Sequence, residues 1–143
     1  MGWLMFYAGV TKMINPQWSA GGYLASAKTF SGFYGILLRP EILPLIDFVN
    51  EWGLTLLGAS LILGIGVRTS SLFGAILMLL YYFPILDFPY PNAHSFIVDE
   101  HIIYAAVFLL FAATRAGKMW SLSELLKKFR ICEQSPLLRS LLE

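Results

Sequence analysis

One long stretch without a charged side chain constrains this chain more than any other feature of its sequence. It runs from Thr69 to Leu86, 18 residues, which is within the length that a helix needs to cross a bilayer. Hydrophobic residues form 57% of the chain and charged residues only 13%, about half the share found in soluble domains. This composition is typical of a membrane protein. We therefore predict an all-α integral membrane protein.

Three further apolar stretches complete a predicted four-helix bundle, and they cover residues 1–11, 52–67 and 96–114. The first is about 16 Å long as a helix, too short to cross, and we expect it to be a span truncated at its N-terminus. The second carries small residues that predict a helix-packing face, and two of them, Ser60 and Gly64, lie four apart. The small residues are Gly53, Gly58, Ala59, Ser60, Gly64 and Gly66.

The remaining segments predict elements outside the spans. Glycine and proline interrupt residues 15–47 too often for one long helix, so we expect short interfacial helices between spans 1 and 2. After Gly117 the sequence is soluble-like, with Ser121 and Glu124 at capping-box spacing before a basic amphipathic pattern. The predicted organisation is a transmembrane domain over residues 1–117 and a cytoplasmic amphipathic tail helix over residues 118–143.

The distribution of basic residues predicts the orientation in the membrane. If four helices span the membrane, seven basic residues lie on one side of it, in the loop at Arg68 and in the tail. Three basic residues lie on the other side. The positive-inside rule then puts both termini in the cytoplasm of a multi-pass plasma-membrane protein. The opposite, outer end gathers six ionisable side chains in one layer: Lys12, Glu51, Asp87, Asp99, Glu100 and His101.

The triplet Asp99-Glu100-His101 is the strongest candidate for chemistry in this layer. The uncharged run after it is only 13 residues long, so a helix that crosses must begin near Phe96 and draw the triplet into the membrane edge. Ionisable groups in such places are costly and are functional candidates. We expect one of the two carboxylates to face inward. An acid beside His101 predicts a site that transfers protons, at the depth in the membrane where a quinone head lies, because imidazole titrates near neutral pH.

A structural alternative for the same layer stays open. In it, Lys12 pairs with Glu51 or Glu100 only to neutralise buried charge. On span 2, Asp47, Glu51 and Thr55 recur every four residues, and Asn50 lies three residues after Asp47, which places all four along one helical face. This polar stripe extends from the outer layer in between the packed helices, whether the layer is a proton-handling site or only neutralises buried charge.

The sequence argues against several other function classes. A net charge of +1 without a basic stripe argues against a nucleic-acid partner. The single cysteine, Cys132, allows neither an internal disulfide nor a paired-thiol redox centre within one chain. His94 and His101 lie seven residues apart and would share a helix face, so they cannot flank a haem, and with Asp99 they lack a specific zinc pattern. We predict no metal and no haem.

Several segments together resemble the DoxX/DoxD family of membrane proteins, and each matches a helix or a turn of that family. They are residues 2–12 (GWLMFYAGVTK) with Asn15-Pro16, residues 51–53 (EWG), residues 63–68 (LGIGVR), residues 98–105 (VDEHIIYA) and residues 117–122 (GKMWSL). The resemblance covers roughly residues 1–125 and includes the arginine-bearing turn at Arg68. It implies a small four-helix integral membrane protein.

The resemblance also implies a redox role. The family member DoxD is the large subunit of an archaeal thiosulfate:quinone oxidoreductase, which oxidises thiosulfate to tetrathionate and passes the electrons to a membrane quinone with a small subunit, DoxA. A membrane quinone is therefore the expected cofactor, and a DoxA-like subunit and the lipid bilayer are the expected partners, with a homo-oligomer as a further expected assembly. The candidate catalytic residues are His101, Asp99, Glu100 and Glu51, and the candidate substrate-binding residues are Lys12, Arg68 and Tyr104.

Two other functions fit the same sequence features. The small residues of span 2 and the basic tail suit a non-enzymatic scaffold of a redox or stress-response complex. The outer carboxylates suit a proton-coupled transporter of small solutes, which predicts uptake that depends on Glu51 or Glu100. We rank the quinone-linked oxidoreductase subunit first.

Overall fold

The computed structural model describes residues 1–114 and contains no β-strand in this range. Its helices are α1 (Gly2–Ile14), α2 (Gly21–Ala25), α3 (Ser31–Leu37), α4 (Leu43–Leu63), α5 (Val67–Ile85) and α6 (Glu100–Thr114). The all-α prediction is confirmed for this part of the chain, and α4 and α5 are long and apolar enough to cross a membrane. The predicted tail helix over residues 118–143 lies outside the described residues, as does the end of the predicted domain after residue 114.

Helix α4 begins well before the predicted start of span 2 at Trp52. Pro44 does not interrupt it, because this proline lies in the first helical turn, where its missing N–H is not needed. Asp47 and Asn50 therefore lie inside α4, about one and two turns from its start. Asp47 also ties this helix to the preceding segment, since its Oδ1 atom accepts the N–H of Ala20 at 2.7 Å.

Helix α6 begins at Glu100, so the prediction that it begins near Phe96 is wrong. Asp99 ends the loop here: its Oδ1 atom accepts the N–H groups of the second and third helical residues at 3.0 and 3.2 Å, as an N-cap does. Two residues earlier, Ile97 has a left-handed backbone, with φ 59°, that is incompatible with a helix. The 15 residues of α6 extend over about 22 Å, less than the thickness of a bilayer core.

The long helices pack in sequence-neighbour pairs, α1 against α4, α4 against α5 and α5 against α6. Their shared core consists of Met5, Leu54, Leu57, Ala75, Met78, Ala105 and Phe108. The backbones of α1 and α4 lie in close contact at two glycines. A β-carbon at Gly58 would overlap the backbone of Phe6, and one at Gly9 would overlap Thr55. Small residues therefore hold α1 against α4.

The small residues of α4 differ in what they contact. Gly64 has φ 70° and ends the helix, because a left-handed residue after the last turn favours glycine. Ser60 lies beside the same turn, where its Oγ atom is 2.6 Å from the Oγ atom of Ser70 on α5. Of the small residues that the sequence names, Gly58 therefore packs against α1 and Ser60 contacts α5, whereas Gly64 lies just after the end of α4.

Residues 17–42, here called the bridging segment, connect α1 to α4 and pack against the end of α5. Helices α2 and α3 confirm that short helices lie between the first two long stretches. Pro84, in the last turn of α5, has no N–H to donate to the backbone oxygen of Leu80. The hydroxyl of Tyr34 on α3 donates to that oxygen instead, at 3.0 Å. The bridging segment thus supplies a donor that α5 lacks.

Tyr82→Phe should lower the free energy of unfolding by about 1–2 kcal/mol. Tyr82 is buried, and its hydroxyl donates to the backbone oxygen of Ile97, the left-handed residue that precedes α6. The phenylalanine variant leaves that oxygen without its partner. Chemical unfolding in mixed micelles measures the change, with Tyr90→Phe as the control because Tyr90 is 59% exposed. Equal losses in the two variants would contradict a role for this hydrogen bond.

Candidate functional site

Four helices bring polar side chains to one end of the packed structure, here called the site end. Helices α1 and α5 finish there, whereas α4 and α6 begin there. Each contributes a residue close to its end: Lys12, Asn50, Tyr81 and His101. The alternation of helix directions therefore brings these four side chains together, and two of them, Lys12 and His101, belong to the polar layer that the sequence predicts.

Lys12 forms a hydrogen-bonded group with Asn50 and Tyr81. Its Nζ atom donates to the Oδ1 atom of Asn50 at 2.9 Å and lies 3.5 Å from the Tyr81 hydroxyl. Tyr81 donates its hydroxyl hydrogen to the same Oδ1 atom at 2.7 Å. Within residues 1–114, Lys12 makes no ion pair with Glu51 or Glu100, so the pairing expected in the structural alternative is not formed.

Asp99 and His101 form a second polar group. The Oδ2 atom of Asp99 lies 2.6 Å from the Nδ1 atom of His101, while the other carboxylate oxygen caps α6. Asp99 is 3% exposed and Glu100 is exposed, so one of the two carboxylates faces inward, as predicted. Because Nδ1 is hydrogen-bonded to the carboxylate, Nε2 is the ring nitrogen that remains to exchange a proton. A histidine oriented by an acid is a common arrangement for general acid–base chemistry.

Aromatic rings connect the two polar groups. The ring of Tyr81 lies nearly perpendicular to the ring of His101, with the centroids 6.0 Å apart. On the other side, the Nζ atom of Lys12 lies 4.6 Å from the ring centre of Trp18, a cation–π contact. Tyr23 donates its hydroxyl hydrogen to the backbone oxygen of Tyr81. Burial is the main cause that raises the pKa of Tyr23 to about 12, which keeps this hydroxyl protonated at neutral pH.

A cavity of about 500 Å³ lies beside these groups. Its polar end is formed by Lys12, Asn50, Tyr81 and His101. The rest of its wall is mostly aromatic and aliphatic, and it includes Tyr23, Phe33, Tyr34, Ile46, Val49 and Leu80. An apolar cavity of this size with a few convergent polar groups is typical of a small-molecule site.

Five of the predicted site residues lie outside the wall of this cavity. One of them, Asp99, adjoins the cavity through its contact with His101, and the other four do not. Arg68 is exposed in the first turn of α5, about 20 Å along the helix from Tyr81. Glu100 is exposed on α6, and Tyr104 packs one turn further along against the helix core. Glu51 is half-buried on α4, with its backbone oxygen accepting the hydroxyl of the residue one turn on. The structure thus places these four residues apart from the polar end.

The structure brings together Lys12, Asp99 and His101 from the predicted set and adds residues that sequence reasoning missed. The most important of these is Asn50, which the sequence places in the polar stripe of span 2 but not among the candidate site residues. An amide inside an apolar helix is a signal that could have placed it there, because such a group needs a partner. Tyr81 and Trp18 carry no comparable signal. The position of Tyr81 near the end of an apolar stretch is explained equally well by an interfacial aromatic belt.

The polar end of the cavity presents one ammonium, one amide, one phenol and one imidazole group. Within residues 1–114, no three side chains of His, Cys, Asp or Glu converge as they do in a metal site. Three of the four polar groups carry N–H bonds, and a lysine ammonium only donates hydrogen bonds. The polar end is therefore suited to a ligand that accepts hydrogen bonds.

Comparison with known proteins gives no family assignment: no protein-family model, no curated protein and no solved structure matches this chain. The resemblance to the DoxX/DoxD family stays a prediction from the sequence segments named above. The chemistry of the site end is the basis on which a function can be proposed.

Proposed function

We propose that this chain is a membrane-embedded subunit of a quinone-linked oxidoreductase and that its cavity binds the quinone head. In this proposal, α4 and α5 cross the membrane and form a four-helix bundle with α1 and α6. Both termini lie in the cytoplasm, and the site end lies at the outer face. The observation that carries the proposal is the convergence of an ammonium group and an acid–histidine pair on one apolar cavity.

The groups at the polar end fit a quinone ring, which is flat and apolar and carries carbonyl oxygens as acceptors. The ammonium of Lys12 has three N–H bonds and gives one of them to Asn50. Because Lys12 and Tyr81 both donate to the Oδ1 atom of Asn50, the amide N–H bonds of Asn50 remain as donors. The aromatic side chains of the wall, such as Tyr34, can pack against a flat ring.

His101 is the residue that would move protons at this site. Reduction of a quinone consumes electrons and protons, and that is the chemistry the ligand supplies when bound. His101 exchanges a proton through Nε2, while Asp99 stabilises the imidazolium from the Nδ1 side. The positive charge of Lys12 lies where negative charge would develop on a ring oxygen, which favours electron uptake. The electrons would come from a DoxA-like partner subunit, with thiosulfate as the reductant that the resemblance implies.

Lys12→Met should weaken binding of a benzoquinone with a decyl chain by about 10- to 100-fold. The reason is that a hydrogen bond from a charged group contributes about 1.5–3 kcal/mol. Equilibrium binding of the radiolabelled quinone to the full chain in lipid nanodiscs measures the change. A methionine fills nearly the same length of the wall without the charge or the donors.

Lys28→Met is the matched control for this test. Lys28 is exposed, its Nζ atom pairs with Asp87 at 2.9 Å, and it is absent from the cavity wall. We expect this variant to bind the quinone as tightly as the unmodified chain does, since an exposed ion pair contributes little. The proposal fails if the unmodified chain binds no quinone, or if the two lysine variants behave alike.

A further inference from the structure

The residues of the cavity wall differ in exposure as well as in polarity. At the polar end, Asn50 is 7% exposed, and it is enclosed with the other hydrogen-bonding groups. Three apolar residues of the wall are exposed, and they are here called the portal residues: Phe33 on α3, Val49 on α4 and Leu80 on α5. Their exposed fractions are 49%, 53% and 40%. The cavity wall therefore meets the outside of the protein at these apolar residues.

Hydrogen bonds fasten the bridging segment to α5 beside the cavity, and Ser19 is the exposed wall residue of this segment that is polar. Tyr34 is 2% exposed and fastens α3 to α5 through the backbone oxygen of Leu80, at 3.0 Å. Tyr23 fastens α2 to the next residue of α5, Tyr81. Leu24, another wall residue, is 7% exposed. With these contacts in place, the portal residues form the apolar opening on the flank of the helices.

Two of the portal residues, Val49 and Leu80, belong to the two helices that can cross a membrane, α4 and α5. If they do so, the side chains of Val49 and Leu80 face the hydrocarbon, because an exposed aliphatic side chain on a spanning helix contacts lipid. A cavity of about 500 Å³ accommodates a ring head and only the first part of a long chain. The rest of such a chain has to continue outward past the portal.

We propose that the cavity takes its ligand sideways from the bilayer, with the ring at Lys12 and Asn50 and an alkyl or isoprenoid chain passing between Phe33, Val49 and Leu80. This inference rests on the proposed quinone-binding function and specifies the class of ligand, a ring-headed lipid with a long chain. The portal residues then determine specificity, since buried methylene groups of the chain add affinity that a ring without a chain does not gain.

Tryptophan substitutions at the portal test this placement. Val49→Trp and Leu80→Trp each add bulk at an exposed position, so neither has to be accommodated in the helix core. The probes are trimethylbenzoquinone without a chain and the same ring with a decyl chain, each bound to the full chain in lipid nanodiscs. We expect each variant to weaken binding of the decyl compound about tenfold and to leave binding of the chainless ring within about twofold.

Leu56→Trp and Ile76→Trp are the matched controls, because both residues are exposed on α4 and α5 but do not line the cavity. They should leave the binding of both probes unchanged. If the unmodified chain binds both probes but the portal variants bind the decyl compound normally, the chain takes another path and the inference fails while the proposed function stands. Equal weakening of both probes would also overturn it, because the ring site itself would then be disturbed. Failure of the unmodified chain to bind either probe overturns the proposed function as well.

Discussion

Replacing Asp99 with asparagine should lower quinone-linked turnover by at least about 100-fold, the size of effect expected when proton transfer by a positioned side chain is lost. Asparagine cannot stabilise an imidazolium on the Nδ1 side, where the Asp99 carboxylate now lies 2.6 Å away. It can still cap α6, because its side-chain oxygen can accept the N–H groups that Oδ1 accepts at present. The variant should therefore fold normally and lose activity.

The neighbouring carboxylate provides a control for this prediction. Glu100→Gln changes the same formal charge one residue along the chain, but Glu100 is exposed and does not line the cavity. Its turnover should stay close to that of the unmodified protein. The assay is quinone reduction by the membrane complex, with purified partner and reductant. His101→Ala should match Asp99→Asn in lost turnover and keep its fold; full activity in either variant would exclude a proton-handling role for this pair.

Gly58→Ala should have the largest effect on stability, lowering the free energy of unfolding by about 3 kcal/mol. The added β-carbon would overlap the backbone nitrogen and Cα atom of Phe6, and a backbone cannot move aside as the end of a side chain can. Helix α1 must therefore shift away from α4. Because α1 carries Lys12, the same shift should pull the Nζ atom away from Asn50 and weaken quinone binding.

Gly53→Ala separates this packing effect from the general effect of replacing glycine. Gly53 lies on the same helix, α4, and a β-carbon there meets nothing within 4 Å. Alanine should stabilise the helix slightly at this position, by up to about 1 kcal/mol, since it is the better helix former. Opposite signs for the two variants in chemical unfolding are the expected result. Equal and small effects would mean that α1 does not pack as closely on α4 as described.

The elements that the sequence predicts well are those encoded by composition over many residues. Helix α5 coincides closely with the uncharged stretch from Thr69 to Leu86, because no alternative structure suits so long an apolar run. The inward-facing carboxylate was also predictable, since Asp99 and Glu100 are adjacent and a helix directs adjacent side chains to different faces.

Two features were not predictable, and the physical reason is different in each. The start of α6 depends on Asp99, whose side chain can equally well lie inside a helix, so only its hydrogen bonds to the helix N–H groups reveal the boundary. The contacts of Lys12 with Asn50 and Tyr81 join residues that are 38 and 69 positions away from it in the sequence. Such contacts depend on how three helices pack, which local periodicity does not encode.

The bridging segment gives hydrogen-bond donors to the end of α5, and these donors are synthesised before the helix that needs them. Besides Tyr34, the N–H of Lys28 donates to the oxygen of Pro84 at 3.0 Å, and the hydroxyl of Thr29 donates to that of Leu86 at 2.6 Å. In a bilayer, carbonyl groups without donors are costly. Because the bridging segment precedes α5 in the chain, it leaves the ribosome first. The last turn of α5 therefore finds its hydrogen-bond donors already synthesised when it folds.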